Sequence, residues 1–206
     1  MTIDETNVPV VRIGGVPEHF NYLFKLAEQQ GIFKKYGVKV EFVVCACGTG
    51  AMIKSLKEKK EVDLIVALTE GLIADIAKDL SKKDSDGGDV IQLLGTYVNS
   101  PLCWAISAGK DRNDINDTGD IRNKTFGVSR YGSGSHLMAY VLAMQRGWDP
   151  QKDISFKVIG NFQQLRDSCN QKSQDTELNT DVFMWETFTT KPFHDSGEIK
   201  RVGDIT

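Results

Sequence analysis

Along the chain, short apolar runs closed by turn residues alternate with stretches whose apolar positions recur at helical spacing. VVRIGG over Val10–Gly15 predicts a strand, YLFKLAEQQ over Tyr22–Gln30 a helix stopped by Gly31, and KVEFVVC over Lys39–Cys45 a second strand. A helix over Ala51–Lys59 follows the turn GTG, and VDLIVAL over Val62–Leu68 reads as a short strand buried on both faces. GLIADIAKDL is helical by its spacing, and SKKDSDGGD over Ser81–Asp89 is a hydrophilic loop. Strand and helix in strict alternation predict a parallel sheet with right-handed crossovers, covered by helices.

VIQLLGTYVNSPLCWAISA, from Val90 to Ala108, is too long for one ordinary strand and is interrupted by Asn99-Ser100-Pro101. It predicts two strands joined where the chain crosses from one α/β lobe to another. The second lobe repeats the scheme, with a strand KTFGV at Lys124–Val128 and a helix over Ser135–Arg146. The strand ISFKVIG at Ile154–Gly160, a short helix over Phe162–Cys169 and the strand TDVFMW at Thr180–Trp185 complete it. The expected organisation is a first lobe over residues 1–98, a second over 99–200, and the start of a return crossing over 201–206.

Composition supports a globular reading: 206 residues with 40% hydrophobic side chains can bury one sizeable core or two small ones. The net charge of -3 and the scattered lysines give no basic stripe, which argues against a nucleic-acid partner. The first residues are acidic and polar where a secretory signal needs a basic start and a long apolar run, so the expected location is cytoplasmic. Cys45, Cys47, Cys103 and Cys169 show no metal-binding spacing and read as reduced, small core residues, or less simply as thiols lining a pocket. Cys45 and Cys47 are expected on one side of a strand.

Ligands of open α/β sheets bind beyond the carboxyl ends of the strands, where loops and helix N-termini converge. The loops that meet this criterion hold Glu18, His19 and Phe20, the turn GTG, Thr69-Glu70, Ser133-Gly134-Ser135-His136, and Trp185-Glu186. GSGSH lacks the lysine of a phosphate loop, the third glycine of a dinucleotide fingerprint and the pattern of a nucleophile elbow. It remains a helix start with exposed N–H groups and two hydroxyls, suited to a neutral acceptor or an anion, or to capping alone. Glu70 and Glu186 end strands in equivalent positions of the two halves and serve as acceptors for amino or ring N–H groups. Trp104 and Trp185 are the aromatics placed to line a cleft, unless they simply pack in the core. No activated nucleophile and no metal-ligand cluster accompany these residues, so binding is a more economical reading than catalysis.

The ordered motifs VPEHFNYLFKLAEQQGIFKKYGVKVEF, GTG, VDLIVALTEG and GSGSHLMA resemble the type 2 periplasmic-binding-protein superfamily, in the branch of sulfonate, taurine and thiamine-pyrimidine binding proteins. The resemblance implies two Rossmann-like α/β lobes joined by crossing strands, with a hinge and a ligand in the inter-lobe cleft. It also implies a returning C-terminal segment of about a hundred residues that this sequence lacks, so the chain reads as a fragment with an incomplete first lobe. Carried over, the family's pocket segments fall on His19 and its neighbours, Thr69-Glu70, Ser133 to His136, and Trp185-Glu186.

The expected function is small-molecule binding, with a thiamine-pyrimidine-like or other small heteroaromatic ligand and neither cofactor nor membrane-transporter partner. One alternative is a thiamine-pyrimidine biosynthetic enzyme, which needs a Schiff-base lysine beside a histidine; His19 is followed only by Lys25, within the helix. A second is a sulfonate or phosphate-type anion binder using the helix that starts near Ser135.

Overall fold

The computed structural model describes residues 8–81 and 91–206. Most of the predicted loop at Ser81–Asp89, with Val90 and the first seven residues, lies outside them. The chain divides into two units, Met1–Asn99 and Ser100–Thr206.

The first unit is built on strands β1 (Val10–Gly15), β2 (Lys39–Val44) and β3 (Leu64–Val66), all parallel, in the order β2-β1-β3. Helices α1 (Tyr22–Gln29) and α2 (Ile32–Lys35) connect β1 to β2. Gly31 separates them in a left-handed conformation, φ 66°, that glycine adopts at little cost. Helix α3 (Thr49–Lys54) runs into a π-helical turn over Ser55–Lys59, and α4 (Thr69–Leu80) follows β3. Helix and strand types agree with the apolar spacing, although β3 is shorter than the run Val62–Leu68. Arg12 pins the far end of that run: its backbone N–H and guanidinium donate to Asp63 at 2.7–3.0 Å, and Asp63 N–H returns to Arg12 O at 2.9 Å. These bonds pull the Asp63 carboxyl down to about 2.

The expectation of two strands over Val90–Ala108 holds for one only. Strand β4 spans Trp104–Gly109, while residues 91–103 carry no strand. A strand needs a neighbour to take its N–H and C=O groups. Among the described residues β3 pairs with β1 alone, and Leu93 and Leu94 are exposed. Tyr97 is held differently, stacking on Phe24 at 5.3 Å and donating its hydroxyl to Phe20 O at 2.9 Å.

The second unit has a five-stranded sheet in the order β6-β5-β7-β4-β8. Its further strands are β5 (Lys124–Val128), β6 (Ile154–Val158), β7 (Val182–Glu186) and β8 (Ile199–Ile205). Strands β5, β6 and β7 are mutually parallel, and β4 is antiparallel to both β7 and β8. Helices α5 (Gly134–Gln145), α6 (Phe162–Cys169) and α7 (Thr187–Asp195) follow β5, β6 and β7 in turn. The stretch 201–206, expected as the start of a return crossing, thus belongs mostly to β8 beside β4. Every residue of β4 is buried, and the apolar cluster beside it is Leu165, Cys169, Phe183 and Ile199.

Cys169 is a core residue, its thiol pushed up to about 12 by burial. Cys47 is exposed and departs from the core expectation. Strand β2 stops at Val44, so Cys45 and Cys47 lie in the turn beyond it instead of sharing one side of a strand.

Candidate functional site

In the first unit, parallel β1, β2 and β3 deliver their following loops to the same carboxyl end of the sheet. After β1 the chain turns tightly. Glu18 N–H donates to Val16 O at 2.8 Å and Asn21 N–H to Glu18 O at 3.0 Å, setting His19–Asn21 in one 3-10 turn. His19 is exposed, with its ring edge-on to Phe20 at 5.4 Å. Thr69 and Glu70 open α4, where the Glu70 carboxylate favours the helix N-terminus. Leu68 N–H donates to Thr49 Oγ1 at 3.3 Å, tying the GTG turn to the turn after β3. Gly71 permits that approach, because a Cβ there would lie 2.8 Å from Thr49 Cγ2. Lys25, the lysine nearest His19 in sequence, sits on α1 with its ammonium 5.9 Å from the Tyr22 ring.

In the second unit the loops after β5, β6 and β7 leave from one carboxyl end by the same rule. Gly132 turns the chain at φ 75°, and Ser133 then caps α5 in an extended conformation. Its Oγ accepts from His136 N–H at 3.4 Å and lies 3.1 Å from Ser135 Oγ. Both serines are buried, and Gly134 begins the helix between them. His136 Nδ1 accepts from Gly132 N–H at 3.1 Å, which leaves the imidazole proton on Nε2. Its ring packs edge-on to Phe156 at 4.5 Å, Tyr140 at 4.9 Å and Tyr131 at 5.3 Å. Burial holds its pKa below the ordinary imidazole value. The GSGSH turn is therefore both a helix cap and a rigid set of hydroxyl and N–H groups at the sheet's carboxyl end.

Glu70 and Glu186 differ in their placement. Glu70 lies in the first turn of α4, whereas Glu186 is the N-cap of α7. Its buried carboxylate accepts from Phe188 N–H at 2.9 Å, Thr189 N–H at 2.7 Å and Thr189 Oγ1 at 2.8 Å. The two tryptophans also separate. Residues directly opposite across an antiparallel pair share a face; Trp104 is opposite Glu186, and Ala105 is opposite Trp185. Trp104 and Trp185 thus occupy opposite faces of the sheet. Trp185 stacks on Phe162 at 5.2 Å against the apolar cluster, while Trp104 is buried on β4.

Residues 104–205 match the family model described as Ca3427-like PBP. The solved Candida albicans CA3427 gene product, which defines a family with the generic periplasmic-binding-protein fold, is 42% identical with TM-score 0.82, the match covering 96% of this chain and 60% of that one. The alkanesulfonate-binding protein SsuA of Xanthomonas axonopodis, bound to MOPS, is 14% identical with TM-score 0.66, covering 95% of this chain and 60% of that one. The holo arginine-binding protein of T. maritima is 16% identical with TM-score 0.60, covering 96% and 78%. No curated protein sequence matches the chain. The chain spans 60% of the length of the Candida albicans protein. The chain has the periplasmic-binding-protein fold, and its residues 104–205 carry the pattern of the Ca3427-like family.

Proposed function

We propose that the protein binds a small molecule through the loops that end its parallel strands. The observation that carries this reading is the GSGSH turn: Ser133, Ser135 and His136 converge at the carboxyl end of β5, where α5 presents its first N–H groups. In the first unit the corresponding positions are those of His19, Thr69 and Glu70. The ligand class that suits hydroxyls, an imidazole and a carboxylate is a small heteroaromatic with ring nitrogens and an amino group, of thiamine-pyrimidine type. Isothermal titration of thiamine and its aminopyrimidine precursor into the protein at millimolar concentration should give saturable heat. Absence of heat with both ligands would remove this ligand class.

A second reading has its own support. The first turn of α5 holds no acidic residue, so its N-terminal field is uncompensated by a carboxylate on the helix. That favours a sulfonate-bearing ligand, and a solved neighbour of the same fold is bound to the sulfonate MOPS. Taurine and MOPS in the same titration distinguish the two readings, since the first predicts heat only with thiamine and its aminopyrimidine precursor and the second only with the sulfonates.

A further inference from the structure

The side chain of His136 ties the loop ahead of α5 to the helix itself, its Nδ1 accepting from Gly132 N–H at 3.1 Å. The neighbouring backbone N–H groups are held more loosely, Ser133 N–H by Arg130 O at 3.2 Å and His136 N–H by Ser133 Oγ at 3.4 Å. Of these three, the N–H of Gly132 is bound most closely. Only the neutral ring can make that bond, with its proton on Nε2 and Nδ1 free to accept. A second proton on Nδ1 sets one donor against another and pushes the Gly132 N–H away. Gly132 is exposed at φ 75°, so its N–H can turn to water and the loop can leave its closed form.

The surroundings give that second proton no support. The ring meets Tyr131 from the loop, Tyr140 from its own helix and Phe156 from β6, all edge-on. The titratable groups that face it are thus two phenols. The chain from Lys124 to Arg146 holds no carboxylate, and neither does β6. The charged side chains on β5, the loop, α5 and its C-cap, and β6 are Lys124, Arg130, Arg146 and Lys157, all cations. Lys157 alternates with Phe156 onto the other face of β6, where its ammonium donates to Glu177 O at 2.6 Å and Asn179 O at 3.1 Å.

We propose that His136 is a proton-operated latch on the GSGSH turn. Neutral, it holds Gly132, and with it the hydroxyls of Ser133 and Ser135, in the form that takes the ligand; protonated, it releases them. The proposal rests on the reading of this turn as the binding site. Because burial lowers the imidazole pKa, the latch is fully closed above the ordinary value of about 6.5 and opens as pH falls from there through the lower folded value. A ligand held near neutral pH is thereby let go in acid.

Two measurements test this on wild-type protein and His136→Asn, whose amide oxygen can accept from Gly132 N–H but takes up no proton. In NMR spectra of the unliganded protein from about pH 7.5 to 5, the Gly132 amide should shift with the midpoint of the His136 ring, and stay still in the variant. An unmoved Gly132 amide while the ring titrates would overturn the latch, and that outcome needs wild-type protein alone. Titration calorimetry with the aminopyrimidine and with taurine at pH 7.5 and 5.5 reads the effect on binding. For the probe that binds, the Kd of wild type should rise in acid by the inverse of the neutral His136 fraction found by NMR. The variant should show only the change due to the probe's own protonation. An equal rise in both proteins would refute control of binding by His136. Heat from neither probe at either pH would refute the turn as a binding site, while the Gly132 amide still decides the latch.

Discussion

Among the described residues, strand β4 of the second unit is buried at every position and lies between β7 and β8, whereas β3 of the first unit is three residues long, half-buried throughout, and paired only with β1. Burial follows the same division. Among the described residues the first unit's buried apolar side chains are Ile13, Met52, Val62 and Leu72, against twenty in the second. The first unit is also held by directed polar ties, the Arg12–Asp63 fork and the Thr49–Leu68 bond. Among the described residues, the same strand–helix pattern accompanies a sheet with buried central strands in the second unit and a three-stranded sheet in the first. Local opening starts where buried apolar contacts are few, so backbone amides of β1 and β3 should exchange with solvent faster than those of β4 and β7.

The largest expected effect lies in the second unit. Phe183→Ala removes a ring with no solvent exposure from the cluster of Leu165, Cys169 and Ile199 and should cost about 3–5 kcal/mol in urea unfolding. Loss near zero would mean that this cluster does not carry the unit. Thr49→Val keeps shape but removes the acceptor of Leu68 N–H, with an expected cost of about 1–3 kcal/mol. Hydrogen exchange should quicken around β1 and β3 and stay unchanged at β4, which sharpens the comparison directly. Glu186→Ala uncaps α7 and should cost about 0.5–2 kcal/mol, read as a lowered denaturant midpoint.

The smallest effect is a pH dependence confined to the second unit. His194 Nε2 lies 3.0 Å from Ser107 Oγ, and burial, with a smaller contribution from Arg201, holds its pKa below the ordinary value; burial does the same for His136. A histidine with a lowered folded pKa takes up its proton more readily when unfolded. The stability it contributes is full above the unfolded value of about 6.5 and is lost as pH falls from there through the folded value. Unfolding at pH 7.5 and 5.5 should show this loss, reduced in His194→Gln.

Most elements were legible because their apolar spacing coincides with buried faces: β1, β5 and α6 occupy the spans read from sequence. Helix α7 was not, since TFTTKPFHD is rich in β-branched residues and contains Pro192. It forms because Glu186 satisfies its first N–H groups, a tertiary circumstance that propensity does not record. The strand expected before Pro101 failed for the complementary reason: its residues favour extension, but extension becomes a strand only against a partner. The helix start at GSGSH was foreshadowed by its position after KTFGV, whereas the pairing of its two hydroxyls was not. The opposite facing of Trp104 and Trp185 was hidden, because it depends on the register of β4 against β7. The bond from Gly132 N–H to His136 Nδ1 gave no signal, as a ring nitrogen's partner becomes visible only when its neighbours are placed.

The most direct test of the account is the affinity of the aminopyrimidine for wild-type protein, Ser135→Ala and Ser133→Ala, measured by titration calorimetry on proteins first matched by thermal unfolding. If the GSGSH turn holds the ligand, Ser135→Ala should weaken binding about tenfold, the value of one neutral hydrogen bond of about 1.4 kcal/mol. Ser133→Ala should weaken it by a smaller factor, since Ser133 Oγ already accepts from His136 N–H. Undiminished affinity in both variants would contradict the claim that this turn forms the binding site.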